Sequence, residues 1–247
     1  MPTDLAPVER VRGGRRRGVA AAVSAGIVVV VAVAVALLGV PRPPSFPSLA
    51  DDPNPAYVGT VAYVRDDGPD GWCVTVVDAS GAPRRDLRCG SGPPPEWIDW
   101  TADGMVEVAT AATAGGEPQV DVVDPVSGGV VRQTTSGWSK SGSPDDVGPM
   151  SSDGAVAEIR RDGERRSVEV REPDGTTRTV LSVEAPTSYD LVDVRWGPDG
   201  RWLLVVDGDG RLIVVPRQDG APAVLADDLF AGWMLRVAVT GAQVANV

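Results

Sequence analysis

A short element recurs three times in this chain, as Trp100-Thr101-Ala102-Asp103-Gly104, Met150-Ser151-Ser152-Asp153-Gly154 and Trp196-Gly197-Pro198-Asp199-Gly200. The aspartates lie 50 and 46 residues apart. Each copy precedes short β-rich runs separated by turn signals, most plainly in the last, where runs 201–206, 211–215 and 221–226 alternate with turns at 207–210 and 218–220. A repeat of about 40–50 residues that carries four strands is the unit of a propeller blade. No stretch beyond residue 55 sustains a helical period. Strand-like runs at 57–64, 74–77, 106–109, 120–123, 167–170, 202–206 and 212–215 are instead punctuated by Asp-Gly pairs at 103, 153, 162, 174, 199, 209 and 219. Such pairs favour tight turns whose twist matches a hairpin.

Counting strands sets the expected closure. Runs 57–64, 72–77 and 83–88 precede the first marked repeat, and 232–239 follows the last. Pairing that final strand with the first three completes a ring of about four blades and hides edges that would otherwise invite aggregation. An open propeller and a β-sandwich are the alternatives.

Trp196-Gly197-Pro198-Asp199-Gly200-Arg201-Trp202-Leu203 resembles the W-[ST]-P-D-G-[RK]-x-[IL] signature of TolB-type, WD40-like propellers. The other two repeats lack the proline, and the Gly-His and Trp-Asp signatures of true WD40 blades are absent. The resemblance implies an extracytoplasmic, usually non-catalytic interaction surface. The Ser-Asp-Gly and Pro-Asp-Gly turns also loosely resemble the Asp boxes of sialidase propellers, but with different spacing and no identifiable arginine triad or nucleophilic tyrosine.

The N-terminus supplies an address. Residues 18–40 form 23 uncharged, mostly apolar residues preceded by Arg10, Arg12, Arg15, Arg16 and Arg17. At about 1.5 Å per residue this run spans a hydrocarbon core of about 30 Å, and it exceeds the usual length of a signal-peptide core. The positive-inside rule then places residues 1–17 in the cytoplasm and the rest outside. Cleavage of the segment would release the remainder as a secreted protein. Residues 41–55 contain Pro41, Pro43, Pro44, Pro47, Pro53 and Pro55 and read as a stiff, extended linker, leaving 56–247 as the propeller-like domain. The expected fold class is therefore all-β, a small propeller of about four blades behind one transmembrane helix and a Pro-rich linker.

The net charge of −11 is uneven. Five arginines face Asp4 and Glu9 in residues 1–17, whereas the remainder carries 18 basic and 32 acidic residues. An acidic ectodomain argues against nucleic acid as a partner. Arginine outnumbers lysine 22 to 1, and with the Ala, Gly, Val and Pro enrichment this fits a GC-rich bacterial gene.

Cys73 and Cys89 are the two cysteines, and an oxidising compartment permits a disulfide. If 72–77 and 83–88 form a hairpin around Ser80-Gly81-Ala82, Cys73 and Cys89 stand directly opposite, within disulfide reach. The absence of histidine removes His-based acid–base catalysis and imidazole metal sites. The turns at 66–71 and 207–210 are rich in aspartate, yet neither has an EF-hand loop's spacing, and both read as hairpin loops. No catalytic, cofactor-binding or metal-binding residue is expected. Among the seven tryptophans, Trp97, Trp100 and Trp196 read as packing between blades. Trp138, in a polar loop with the single lysine, Lys140, marks the expected interaction surface. The functional expectation is a membrane-anchored, extracytoplasmic, non-catalytic binding or scaffold module for a protein or an envelope polymer, with no cofactor. The alternative is a carboxylate-based glycan hydrolase with its site in the propeller channel.

Overall fold

The computed structural model describes residues 44–69, 71–81, 83–111, 118–135, 150–184, 189–230 and 237–240. Among them there is no helix, and every regular element is a strand. The apolar segment 18–40, Trp138, Lys140 and Trp233 lie outside these residues.

Fifteen strands form four antiparallel sheets in chain order. The first holds β1 (Thr60–Asp66), β2 (Gly71–Asp78) and β3 (Arg85–Ser91), with β15 (Val237–Thr240) added beside β1. The second runs β4 (Trp97–Trp100), β5 (Val106–Thr110), β6 (Gln119–Val123), β7 (Val130–Thr135). The third holds β8 (Val156–Asp162), β9 (Arg165–Arg171) and β10 (Thr177–Glu184). The fourth runs β11 (Leu191–Trp196), β12 (Trp202–Asp207), β13 (Leu212–Pro216), β14 (Ala223–Ala226). The arrangement is consistent with a small β-propeller. The last strand does join the first three: Thr60 stands opposite Thr240 and Tyr63 opposite Val237.

The three sequence repeats are one structural device. In each, two main-chain bonds close the turn. Thr101 N donates to Met105 O, Ser151 N to Ala155 O and Gly197 N to Trp202 O, while Gly104, Gly154 and Gly200 donate to Thr101, Ser151 and Gly197. The glycines take φ of 78°, 91° and 68°, a conformation other residues adopt only with strain. Most Asp-Gly turns are thus three-residue loops ending in a left-handed glycine rather than two-residue turns, as at Asp207–Arg211 and Glu172–Thr176. Asp162-Gly163 differs, since Asp162 pairs with Arg165 across a two-residue loop. The second repeat, which opens the third sheet, lacks a full leading strand among the described residues. Its Met150 makes a single bridge to Val156, where Trp100 pairs with Val106 and Trp196 with Leu203.

Alternation explains the core. On β12, Trp202, Leu204 and Val206 pack toward the first sheet with Val61, Tyr63 and Val77, while Leu203 and Val205 pack toward the third with Val168 and Val170. The first sheet likewise turns Ala62 and Val64 to Ile98, Val106 and Val108 of the second. Strands buried on both faces read as continuous apolar runs, which is why 202–206 and 212–215 stand out in the sequence.

The Cys73–Cys89 disulfide is formed, with Cα atoms 4.0 Å apart. The expected register holds from Gly71↔Ser91 to Val74↔Arg88, then shifts by one so that Thr75 opposes Asp86. Leu87 is the extra residue, a bulge that falls beyond the cysteines and leaves their pairing intact.

Residues 44–55, expected as an extended stalk, are packed on the sheets instead. Ser48 bridges Val224 in parallel, Val224 N donates to Pro47 O (2.7 Å) and Leu49 N to Val224 O (2.8 Å). Leu49 is 3% exposed within the core shared by the first and fourth sheets. Proline prevents neither contact, because Pro47 only accepts. Proline content signalled extension correctly, and the buried leucine determines where the extended segment lies.

Candidate functional site

The segment 47–57 forms one wall of a cleft of about 830 Å³. The opposite walls are the repeat turn at Asp199, Gly200 and Arg201 and the β13–β14 turn from Arg217 to Ala221. Its floor is apolar. Tyr57 is buried edge-on against Trp202, with ring centroids 6.4 Å apart, and Pro216 and Ala223 are buried beside it. Trp202 is fixed by its indole N–H, which donates to Val58 O (3.1 Å).

The charged lining divides into two sets. Arg217 is fully engaged: Nη1 donates to Asp153 (2.8 Å) and Gly200 O (3.1 Å), Nε and Nη2 to Glu172, and its guanidinium lies over the Trp196 ring at 5.3 Å. This one side chain ties two of the repeat turns to the β9–β10 turn. The Ser151 hydroxyl and then Arg217 hold the Asp153 carboxyl down at about 2, and Arg217 lowers Glu172 as well. Asp52, Asp199, Asp219 and Arg201 form the second set. All four are exposed, and among the described residues none of their side chains enters an ion pair. Among the described residues, Asp199 accepts only the main-chain N–H of Arg201 (3.0 Å). By contrast, carboxylates elsewhere on the domain are widely arginine-paired, as with Asp86, Asp121, Asp190 and Asp228. An apolar floor under unpaired charges of both signs, acidic in balance, can seat a polar chain and orient it.

The other sequence-marked residues fall elsewhere. Cys73 and Cys89 are consumed by their disulfide, with the Asp67 carboxylate within 4.8 Å of the sulfurs. The aspartate-rich turn at 207–210 is internally satisfied. Asp207 accepts from the N–H groups of Asp209 and Arg211, from the Arg211 guanidinium (2.7 Å) and from the Tyr189 hydroxyl (3.1 Å). Burial and the Asp207 charge raise the Tyr189 hydroxyl above its ordinary value. In the leading strands, Asp193 is bonded to Arg195 (2.9 Å). Trp97 is buried and Trp100 and Trp196 are half-buried, as packing residues should be. Trp138 and Lys140, the expected contact surface, lie outside the described residues. Sequence reasoning missed the cleft. The signal that could have found it was the leucine at 49 between prolines, which marks a docked segment rather than a free one.

No family model matches this chain, and no curated protein matches it. Among solved structures it is similar to the dipeptidyl peptidase 4 of Porphyromonas gingivalis, at 13% identity and a TM-score of 0.25, over 64% of this chain and 23% of the other. It is similar to a puromycin hydrolase at 15% identity and a TM-score of 0.25, over 78% of this chain and 29% of that one. It is also similar to the β-propeller domain of Myceliophteria thermophila Cps50 (Swd1), at 16% identity and a TM-score of 0.21, covering 69% and 57% of the two chains. The chain thus spans less than two thirds of each of these structures. The likeness is one of propeller-like β architecture and carries no activity across. The expectation that this domain is not an enzyme is withdrawn, since a peptidase and a hydrolase stand among the similar structures, which at these TM-scores assign it no activity.

Proposed function

We propose that the chain is a single-pass membrane protein, anchored by residues 18–40, whose TolB-like four-bladed propeller displays a binding surface outside the cytoplasm for a protein or an envelope polymer. The observation that carries this reading is the 830 Å³ cleft with its apolar floor and the unpaired Asp52, Asp199, Asp219 and Arg201. Unpaired charges around a concave surface give orientation and partner choice more than raw affinity. The anchor and the basic residues before it support the placement. A disulfide suits an oxidising compartment.

The test has two parts. Protease added to intact cells should degrade the chain beyond residue 56 while leaving a membrane-embedded fragment; full protection would refute the orientation. Retention of the purified protein on isolated envelope material should fall about tenfold in Arg201→Glu or Asp219→Arg, a loss of about 1.4 kcal/mol. Retention equal to that of the unmodified chain would remove the cleft from the account.

A further inference from the structure

Beyond the cleft, the outer edge of β14 has the chemistry of a peptide site that the chain itself fills. Residues 44–57 form a strap whose Pro47–Leu49 stretch lies along it. Its main-chain contacts are those of an added parallel strand: Val224 N to Pro47 O at 2.7 Å and Leu49 N to Val224 O at 2.8 Å. The requirement is a carbonyl at one position and an N–H two residues later, with an apolar side chain on that second residue. Leu49 meets the last of these. It enters a slot whose wall is the backbone of Gly81, where a Cβ would stand 2.4 Å from Leu49 O. Phe46, three residues earlier, packs partly against the core of the third and fourth sheets and lies 5.9 Å from the Arg211 guanidinium. Arg211 also donates to Pro44 O (2.7 Å).

The other three sheets have no such strap: among the described residues no segment pairs with the matching outer edges β3, β7 and β10. All three of those edges carry charges that discourage strand addition, Arg85, Asp86 and Arg88 on β3, Arg132 on β7 and Arg178 and Glu184 on β10. The sequence of β14 is Ala-Val-Leu-Ala, with none. Most of the strap is exposed, including Ser45, Pro47, Ala50, Asp51, Asp52, Pro53 and Pro55, so its hold rests on Leu49, Phe46, Tyr57, the Arg211 contact to Pro44 and a few main-chain bonds.

We infer that the β14 edge and the Gly81 slot bind an extended segment of a partner protein, with apolar residues at the Phe46 and Leu49 positions, and that the strap is its competitor in cis. A site occupied in cis nine-tenths of the time or more binds its ligand at least about tenfold more weakly than the open site.

The probe is a fluorescein-labelled peptide with the sequence of residues 44–57, titrated by anisotropy into the full chain in detergent. Leu49→Asp should bind it at least about tenfold more tightly than the unmodified chain, and Leu49→Ala should move in the same direction by less. Adding Val224→Pro to either variant should abolish binding, because it removes the N–H offered to Pro47 O at an edge where proline is tolerated. Strand circular dichroism and retention of the Cys73–Cys89 bridge report folding, and Leu49→Ala stands in if Leu49→Asp fails to fold. Equal peptide affinity in the folded variants and the unmodified chain would overturn the inference, as would tighter binding that survives Val224→Pro. Neither Arg201 nor Asp219 enters this assay, so its outcome is separable from that of the cleft.

Discussion

The fourth and second sheets share a four-strand meander and a repeat turn, yet they differ in burial. Every residue of β12 and β13 is buried, and the outer edge of β14 is covered by the strap. Every residue of β7 is exposed, and Val130 and Val131 stand in solvent at its edge. The fourth sheet packs on the first and third, and its alternate residues feed two separate cores. The second packs on the first through Ile98, Val106, Val108 and Val123, and among the described residues only Trp97, Ala109 and Val120 cluster beyond that. The same local architecture therefore holds very different shares of the stability, set by how many neighbours each face meets.

The contrast is broken most severely at Trp202, which is fully buried and fixed to Val58. Trp202→Ala should cost about 3–5 kcal/mol in urea unfolding. Removing the disulfide by Cys73→Ala with Cys89→Ala opens a loop of sequence separation 16 and should cost about 3 kcal/mol by the chain-entropy account. Leu49→Ala should cost about 2 kcal/mol and speed hydrogen exchange at Val224, because it loosens the cover of the fourth sheet without touching the second. Arg217→Met tests the charged cluster by its pH dependence. The carboxyls of Asp153 and Glu172 are lowered in the folded state, so their contribution is present above the unfolded values of 3.8 and 4.5 and fades as pH falls, that of Asp153 toward about 2. The stability gap between wild type and Arg217→Met should therefore narrow between about pH 5 and pH 2 in acid titrations followed by tryptophan fluorescence. The smallest effect is expected at Val131→Thr on β7, within about 0.5 kcal/mol. A large loss there would mean that the second sheet is buried against a surface absent from this account.

The sequence made the doubly buried strands legible, because apolar residues at every position of 202–206 and 212–215 leave no polar face. The repeat turns were equally plain, since glycine at positive φ leaves a fixed mark. The disulfide followed from hairpin register, with the Leu87 bulge invisible because nothing in Pro83-Arg84-Arg85-Asp86-Leu87 specifies it. Strands β8 and β10 escaped notice because Glu158, Arg160, Arg161, Arg178 and Glu184 fill exposed and half-buried positions on them, so that charge hid the alternation. The leading strands β4 and β11 are short or mixed in polarity. The cleft was not legible at all. It joins residue 49 to residues 199–223, and Arg217 reaches Asp153 and Glu172 across 64 and 45 residues. Contacts of that separation are fixed by packing, not by local pattern.

The central claim is that both ends of the domain are tied down, β15 into the first sheet and the strap onto the fourth. Native-state hydrogen exchange on the oxidised protein, resolved by residue, tests it most directly. The account predicts strong protection of the ladder amides of β1 and β15 together with those of β12 and β13, and clear protection of the Leu49 and Val224 amides. Free-peptide exchange at β15 and Leu49 while β12 and β13 stay protected would contradict it.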